Sequence, residues 1–472
     1  MKMVKEKIIY ILIISVVGLS ACDKRIDLLP TDSINEANAF QSVTDLEQGL
    51  LNAYGSISGE NIMYANAIIS DEVKVSNENR GQGQFEFKWQ YVPVTPTGGV
   101  TIGAWDNLYL TIGDINKVLA AADNVVTSTP AQETEKQKIK GELLGLRAIL
   151  HFYLLQMYTG KYNPSALGIP YTTTSDITAK PSRQPVTEVI TNIENELSAA
   201  KAAPLPTEPP VTPTIGTIRL SKAAISGFQA RVALYKEEWG DAETYATEAI
   251  NFASKPLANM AEYPLIWTDE TETEVIWKLR RTGTSVGTLW QDNNDDVFFE
   301  PSDKLKNLYD RDNDIRFQTF FLINDPGDDD TALINKFRAS IRGLRINDVK
   351  MMRTSELYLI RAEARAEQDN LTGAAEDYNT VRRLRIIGYV DESFASKAEA
   401  ITAILNERAR ELAFEGFRFF DLKRRGLSIN RLASDVQSTE WLNLPADNFR
   451  FLFPIPQRSI LANPNMVQNP GY

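Results

Sequence analysis

FQARVALYKEEWGDAETYATEAI (residues 228–250) and IRAEARAEQDNLTGAAEDYNTVR (residues 360–382) are two stretches of this sequence with the same arrangement of small residues. Ala230 and Ala242 in the first stretch correspond to Ala362 and Ala374 in the second, and each pair is separated by twelve positions. Small side chains at these places allow two antiparallel helices to approach closely, as in tetratricopeptide repeats. The stretches therefore predict helical hairpins, although they are not in tandem, which argues against a simple solenoid.

Helical signals recur through the rest of the chain. Thr44 with Glu47 and Ser396 with Glu399 have the spacing of a capping box, and Thr129 precedes a proline at the first position of a predicted helix. The apolar residues that follow Thr129 recur every three or four positions and define one face of a long helix. They are Ile139, Leu143, Leu146, Leu150, Tyr153 and Met157. We therefore predict a mainly α fold.

Two regions lack helical periodicity, at about residues 77–103 and 255–349. Loops this long inside a compact chain are usually functional or disordered. Both regions contain large aromatic residues, which loops without a function rarely need. They are Phe85, Phe87, Trp89, Tyr91, Trp267, Trp277 and Trp290. Trp277 lies in an alternating, strand-like segment, so we assign it to the core. The two regions are candidate binding loops.

The amino terminus has the pattern of an export signal. Three lysines precede a charge-free run from Ile8 to Leu19, which is too short for a transmembrane helix of about 20 residues. The run ends in Leu19-Ser20-Ala21-Cys22, which resembles a bacterial lipobox, and Cys22 is the one cysteine of the chain. We predict a signal peptide at residues 1–21, a lipid on Cys22 and a single mature domain at 22–472. The alternative is an ordinary secretory signal with a cysteine nearby.

Composition argues against several classes of function. The chain has 50 basic and 62 acidic residues, and without residues 1–21 it has 47 and 61, a net charge of −14. An acidic surface repels phosphate backbones, so we expect no nucleic-acid partner. One histidine and no usable cysteine nearly exclude a zinc site of the usual ligands. The histidine, His151, lies in a predicted helix, and we interpret it as a packed residue rather than a catalytic base.

Four stretches together resemble the SusD/RagB family of nutrient-binding outer-membrane lipoproteins. They are a long helix ending in a turn (Gly141–Tyr171), the hairpin RAEARAEQ…NTVRRLR, ILNERARELAFEGFRFFDLKRRG (Ile404–Gly426) and LFPIPQRSILANPNMVQNPGY (Leu452–Tyr472). They occur in the order of the family, behind a lipobox. The resemblance implies a mainly α, SusD-like fold, in which four tetratricopeptide-like hairpins pack against an irregular, loop-rich half with minor β structure.

The resemblance also implies a function. It implies a lipoprotein of the outer membrane, exposed at the cell surface, that captures oligo- or polysaccharide and delivers it to a SusC-like TonB-dependent transporter, with no catalysis and no cofactor. Capture of peptides by a RagB-like protein is the first alternative. A glycoside hydrolase and a pure helical scaffold are two further hypotheses, and the aromatic loops argue against the scaffold.

Three acidic residues, Glu411, Glu415 and Asp421, could supply the paired carboxylates of a glycosidase. A carboxylate beside arginine, however, has a lowered pKa, which is the wrong direction for a general acid. The basic residues interleaved with these acids are Arg408, Arg410, Arg418, Lys423, Arg424 and Arg425. We therefore interpret the three carboxylates as members of structural ion pairs, and the tail at residues 463–472 as an ordered, architectural segment.

A sugar presents apolar ring faces and a fringe of hydroxyl groups, so a binding site needs exposed aromatic rings flanked by polar side chains. Asn79 and Arg80 precede four aromatic residues at alternate positions, which an extended segment would place on one face. Family members often carry ligand-binding residues in this stretch. We predict ligand contacts by Asn79, Arg80, Trp89 and Tyr91, and by Trp290 in the second loop region. The alternative is a strand whose aromatic residues pack in the core.

Two acidic runs, residues 292–296 and 310–314, raise the question of calcium. Neither run is followed by the glycine at the sixth position and the glutamate at the twelfth that an EF-hand loop requires. We interpret both runs as solvated loop acids and predict no metal site.

Overall fold

The computed structural model describes residues 39–94, 99–210, 216–283, 285–325 and 328–472. The predicted signal peptide and Cys22 lie outside these ranges, so the lipid anchor and the domain boundary at residue 22 stay predictions. Among the described helices, none combines the length and the apolar character needed to cross a membrane.

Helices dominate the fold. They are α1 (Val43–Ser56), α2 (Gly59–Ile69), α3 (Gln84–Phe87), α4 (Gly99–Ala122), α5 (Pro130–Tyr158), α6 (Val186–Ala202), α7 (Lys222–Lys236), α8 (Trp239–Ala253), α9 (Tyr263–Trp267), α10 (Asp303–Lys306), α11 (Ile315–Phe320), α12 (Thr354–Glu367), α13 (Leu371–Arg382), α14 (Lys397–Glu411), α15 (Arg418–Arg424) and α16 (Gln457–Ala462). The strands are β1 (Val73–Val75), β2 (Val275–Leu279), β3 (Phe299–Pro301), β4 (Phe321–Asp325), β5 (Asp328–Ile334), β6 (Ala339–Ser340), β7 (Gly343–Leu344), β8 (Val349–Arg353), β9 (Ile429–Asn430) and β10 (Asn443–Leu444).

Helical hairpins form the scaffold. α5 packs on α6, α7 on α8 and α12 on α13, and α8 also contacts α12. Ala230, Ala242, Ala362 and Ala374 are fully buried, because each lies on the side of its helix that packs against neighbouring elements. The hairpins predicted from the alanine spacing are confirmed, and so is the mainly α fold class.

The strands form short antiparallel pairs rather than one large sheet. β1 pairs with β3, β2 with β8, β4 with β5, β6 with β7 and β9 with β10. Trp277 in β2 is fully buried, as predicted. The β1–β3 pair positions the candidate site, because it places residues 76–83 beside residues 290–298. The backbone N–H of Ser76, for example, donates to the carbonyl oxygen of Phe298 over 3.1 Å.

The helix starts agree with the sequence prediction at two of three places. Thr129 accepts a hydrogen bond from the third residue of α5 (3.2 Å), and Ser396 accepts one from Glu399 (3.2 Å). The predicted start at Thr44 is wrong. Ser42 caps α1 instead. Its hydroxyl accepts a hydrogen bond from the backbone N–H of Asp45, and the carboxylate of Asp45 accepts one from the backbone N–H of Ser42, which together form a capping box. Ser42 and Asp45 have the same spacing and chemistry as the pair that was predicted.

The carboxyl-terminal tail is held by its own side chains. The amide group of Asn469 donates to the backbone oxygens of Tyr158 (2.8 Å) and Phe453 (2.8 Å), and the hydroxyl of Tyr472 donates to that of Leu452 (2.7 Å). The interpretation of residues 463–472 as an ordered, architectural segment is confirmed.

Candidate ligand-binding face

The segment from residue 84 to residue 91 is not extended. Its first four residues form α3, and Trp89 has a φ of 55°, which turns the chain after the helix. Phe85 is 44% exposed, whereas Phe87, Trp89 and Tyr91 are buried. The prediction of four aromatic rings on one face is wrong, because a helical turn places alternate residues on different sides.

Trp89 and Tyr91 pack inside the protein. The indole N–H of Trp89 donates to the backbone oxygen of Ile69 over 2.9 Å. The hydroxyl of Tyr91 donates to the backbone oxygen of Arg450, and its ring centroid lies 5.7 Å from that of Phe453. The prediction that these two rings form an exposed platform is wrong, because their faces are covered by protein. Both residues hold the segment in place.

Trp290 is also buried, with 2% of its surface exposed. Its ring centroid lies 6.0 Å from that of Tyr64 and 5.8 Å from that of Phe414. The backbone N–H of Phe298 donates to the carbonyl oxygen of Trp290 (2.8 Å), which fixes the turn between them. The predicted second platform at Trp290 is therefore wrong, because the ring completes an aromatic cluster of the core.

Asn79 and Arg80 lie at the surface, in the loop between β1 and α3. The amide group of Asn79 donates to the backbone oxygens of Gln82 (2.9 Å) and Phe298 (2.9 Å), so Asn79 holds the two loops together. Arg80 is exposed and pairs with Asp296. An exposed ion pair contributes about 0–1 kcal/mol, so Arg80 can exchange this partner for a ligand at little cost. Ligand contact by Asn79 and Arg80 stays a prediction.

The exposed part of the site contains residues that sequence reasoning missed as site residues. The ammonium group of Lys88 makes two contacts. It donates a hydrogen bond to the side-chain oxygen of Gln84 (2.9 Å) and lies 4.6 Å from the ring centroid of Trp441. Trp441 is half-buried and ends a short 3₁₀ turn. Phe85 and Lys88 are three positions apart, so they lie on the same side of the helical turn.

We call the surface formed by Asn79, Arg80, Gln84, Phe85, Lys88 and Trp441 the ligand face. Phe85 belonged to the aromatic run noted in the sequence, but the pattern of that run does not separate the exposed ring from the buried ones. Trp441 lies far away along the chain, and no local signal connects it to residue 85.

The loop at residues 291–297 borders the ligand face. The carboxylate of Asp292 accepts hydrogen bonds from the backbone N–H groups of Asn294 (2.8 Å) and Asp296 (3.0 Å). Desolvation opposes ionisation, but these hydrogen bonds outweigh it and lower the pKa of Asp292. Its charge therefore stabilises the loop. Within the described residues, His, Cys, Asp and Glu side chains form no group of three or more arranged to hold a metal ion.

Glu411, Glu415 and Asp421 are all at least nine-tenths buried, and Glu415 and Asp421 line a small cavity together with Arg408 and Arg424. Burial raises the pKa of each carboxyl group, but neighbouring cations outweigh it and hold all three pKa values below their ordinary range. The cations that pair with them are Arg316, Lys336, Arg353, Arg385, Arg408 and Arg424. The interpretation of these carboxylates as structural ion pairs is confirmed.

His151 is a packed helix residue, as predicted. It is fully buried, its Nδ1–H donates to the backbone oxygen of Arg147 (2.9 Å), and its Nε2 accepts from the backbone N–H of Thr172 (3.1 Å). Burial lowers the pKa of His151 to about 3, so the ring is neutral at physiological pH. Both ring nitrogens are occupied by the backbone, which leaves none for catalysis.

Two family models match this chain. A model described as the SusD family matches residues 330–472, and a model described as starch-binding and associating with the outer membrane matches residues 26–234. The chain belongs to the SusD/RagB family. Among its SusD relatives, SusD-like protein P38 of Formosa agariphila is 22% identical over 98% of either chain. The starch-binding protein SusD of Bacteroides thetaiotaomicron is 31% identical over 26% of this chain and 22% of its own length.

Solved structures show the same SusD fold. A SusD superfamily protein from Bacteroides thetaiotaomicron aligns with a TM-score of 0.79 at 23% identity, over 91% of this chain and all of that one. A putative sugar-binding protein from Bacteroides vulgatus aligns with a TM-score of 0.79 at 24% identity, over 92% and 99%. A laminarin-binding SusD-like protein aligns with a TM-score of 0.72 at 21% identity, over 92% and 100%.

Proposed function

We propose that this protein captures neutral glycans at the ligand face, by binding and without catalysis. The observation that carries the proposal is the exposed ring of Phe85, three positions before Lys88, whose ammonium group lies over the ring of Trp441. Aromatic rings provide apolar contact for the faces of sugar rings, while neighbouring polar groups bind the hydroxyls. Carboxamides suit a neutral polyol because each can both donate and accept hydrogen bonds.

Polar composition around the ligand face supports this assignment. The partly or fully exposed carboxamides in the two loops and α3 are Asn77, Asn79, Gln82, Gln84, Asn293 and Asn294. The acidic residues of the same loops are Glu78, Asp292, Asp295 and Asp296, and they outnumber the cations Arg80 and Lys88 on the face. An anionic polysaccharide would meet this excess of negative charge, which disfavours its binding.

The relatives support the same class of ligand. One SusD-like structure with this fold is described as laminarin-binding, and one curated relative as starch-binding. The non-enzymatic part of the proposal is supported by the ion pairs of Glu411, Glu415 and Asp421, because their lowered pKa values suit no general acid.

Delivery to a transporter completes the proposed function. We infer that Cys22 carries the lipid that attaches the protein to the outer membrane, exposed at the cell surface, and that a SusC-like TonB-dependent transporter receives the glycan. Family membership and the lipobox-like Leu19-Ser20-Ala21-Cys22 support this inference. Deleting the protein should abolish uptake of its glycan, and unchanged uptake would contradict delivery.

Affinity electrophoresis through gels that contain single polysaccharides tests the binding. The protein without residues 1–22 is run beside Phe85→Ala and Val390→Ala. Val390 is 79% exposed on a different loop and is the control for loss of an exposed apolar side chain. We expect retardation by a neutral polysaccharide and a loss of about tenfold in affinity for Phe85→Ala, about 1.4 kcal/mol, with no change for Val390→Ala.

Other outcomes are equally informative. Retardation by sulfated or uronic-acid polysaccharides alone would contradict the neutral class. No retardation by any polysaccharide would favour the peptide-capture alternative. Release of sugar from a bound glycan would contradict binding without catalysis.

A further inference from the structure

Arg431 is a buried cation whose guanidinium is bound by backbone oxygens rather than by carboxylates. It is 5% exposed, and its guanidinium makes five N–H···O contacts that all end on backbone carbonyl oxygens. Asp71 and Asp435 attract it electrostatically, but neither carboxylate accepts one of these contacts. Burial lowers the pKa of Arg431, yet an arginine side chain stays charged in proteins. Such a charge is retained only where its donors are well satisfied.

The contacts of Arg431 join three separate parts of the chain. Three of them end on residues 68–70, the last turn of α2 and the residue after it, with distances of 3.1, 3.1 and 2.8 Å. The last carbonyls of a helix have no partner within the helix and carry its negative dipole end, so a cation is favoured there. The other two contacts end on Phe87 (2.7 Å) and Trp441 (3.4 Å).

The two aromatic residues after Phe85 in the run complete this environment. The guanidinium of Arg431 lies 3.9 Å from the ring centroid of Phe87 and 4.3 Å from that of Trp89. Trp89 donates its indole N–H to Ile69, which also accepts from Arg431. Trp89, one of the rings predicted to contact ligand, is therefore bound to this helix end and packs against the same cation as Phe87.

We propose that Arg431 is the positioning residue of the ligand face: it fixes α3, which carries Phe85 and is followed directly by Lys88, against the turn that carries Trp441. The inference rests on the proposed function. Its mechanism is geometric, because one rigid, planar guanidinium with five donors sets the distance between Phe87 and Trp441. The contact between Lys88 and the Trp441 ring depends on that distance.

A matched control exists in the same chain. Arg183 is 6% exposed, and its guanidinium also donates only to backbone oxygens, those of Leu167 (3.0 Å), Gly168 (2.6 Å) and Val467 (3.0 Å). These partners belong neither to α3 nor to the Trp441 turn. Arg431→Met and Arg183→Met therefore remove the same kind of interaction at two places, and only one of the two is part of the ligand face.

Hydrogen–deuterium exchange of the unliganded protein without residues 1–22 tests the positioning role. We expect Arg431→Met to raise exchange about tenfold in peptides covering residues 87–91 and 439–443, and Arg183→Met to raise it only near residues 167–185. Arg431→Lys should show a smaller increase, because an ammonium group has three donors rather than five. Unchanged exchange at residues 87–91 in both Arg431 variants would overturn the proposal.

Glycan affinity, measured below the unfolding transition of each variant, provides the second readout. We expect a loss of about tenfold for Arg431→Met, partial recovery in Arg431→Lys, and wild-type affinity for Arg183→Met. Equal loss of affinity in Arg431→Met and Arg183→Met would overturn the positioning role, because general destabilisation would then explain it. A wild-type protein that binds no glycan would overturn the proposed function instead. The exchange experiment, which needs no ligand, still decides whether Arg431 positions α3.

Discussion

The region around Glu411 and the ligand face around Phe85 use charge in opposite ways. Glu411 is fully buried and pairs with Arg316 (3.0 Å), Arg353 (2.9 Å) and Arg385 (3.1 Å). Arg80 at the ligand face is exposed and pairs with the carboxylate of Asp296. A buried charge loses a partner only at high cost, whereas an exposed charge can exchange its partner for a ligand. A high density of charged residues therefore marks a binding site only where solvent reaches it.

The largest effect is expected where the charges are buried. Glu411→Gln removes the negative charge that three arginines share, and breaking a buried ion pair costs about 3–5 kcal/mol. We expect the free energy of unfolding, measured in urea, to fall by this amount. Glu376→Gln on the exposed side of α13 is the control and should stay within about 0.5 kcal/mol of the wild type. If Glu411→Gln lowered the free energy of unfolding by less than about 1 kcal/mol, the buried ion pairs would be no more important for stability than an exposed pair.

A smaller effect is expected at Gly287, in the turn that leads to Trp290. A Cβ atom at this position would lie 2.5 Å from the backbone oxygen of Phe337 and 3.1 Å from the Cα of Arg345. Because backbone atoms have to move, Gly287→Ala should destabilise the protein by about 1–3 kcal/mol.

Gly113→Ala is the control for the change at Gly287. Gly113 lies within α4, and a Cβ atom there would meet no atom within 4 Å. It should be neutral or stabilising by up to about 1 kcal/mol, since alanine favours a helix. Equal thermal unfolding midpoints for the two variants would show that the turn before Trp290 is not packed as described.

The pKa of Glu72 is shifted in the opposite direction from those of the carboxylates in ion pairs, so its effect on the pH dependence of stability is also opposite. Burial raises the pKa of Glu72 to about 8, with Asp71 adding to the effect, while the backbone N–H of Phe414 and the charges of Arg418 and Lys336 oppose it. One carboxyl oxygen of Glu72 accepts from Phe414 (3.0 Å), and the other has no partner among the described residues. A pKa raised in the folded state gives stability below the unfolded pKa of about 4.3, and this stability is lost as pH rises through 8.

The comparison with Glu72→Gln measures this loss. Between pH 7 and pH 9 the stability of the wild type should fall by about 1 kcal/mol relative to Glu72→Gln, as followed by urea unfolding. Burial lowers the pKa of Lys336 to about 8, which acts in the opposite direction, but burial of Lys336 is common to both proteins. If the difference in the free energy of unfolding between the wild type and Glu72→Gln stayed constant from pH 7 to pH 9, Glu72 would already be ionised at pH 7.

The smallest effect on stability is expected at the ligand face itself. Phe85→Ala removes an exposed ring, so the free energy of unfolding should change by no more than about 0.5 kcal/mol. Trp89→Ala, four positions along, removes a buried ring and its hydrogen bond and should cost about 3–5 kcal/mol. Similar thermal unfolding midpoints for the two variants would contradict the division of this segment into an exposed ring and buried rings.

The sequence predicted the features that depend on local pattern. Alanine spacing is enough to predict the hairpins, since helix packing requires small residues at fixed intervals. The ion pairs of Asp421 with Arg408 and Arg424 were also predictable, because these residues are close in sequence. The arginines that pair with Glu411 come from distant parts of the chain, so local pattern does not identify them. The start of α1 was misplaced by two residues, because Ser42 and Thr44 both offer capping chemistry.

The ligand face could not be predicted from local pattern. The alternating aromatic residues from Phe85 to Tyr91 have the periodicity of a strand, but their conformation is set by distant partners. Arg431 lies under Phe87 and Trp89, and Trp441 lies against Lys88. These contacts cross more than 300 positions of the chain, so no window around residue 85 contains the information that buries three rings and exposes one.

The burial of the tryptophans has a spectroscopic consequence. Five of the seven, at positions 89, 105, 267, 277 and 290, are more than nine-tenths buried, and only Trp239 and Trp441 are partly exposed. Acrylamide quenching should therefore act mainly on these two indoles. In a Trp239→Phe background, the quenchable emission would come largely from Trp441, so the protein contains an intrinsic fluorescent probe at the place where we propose that the glycan binds.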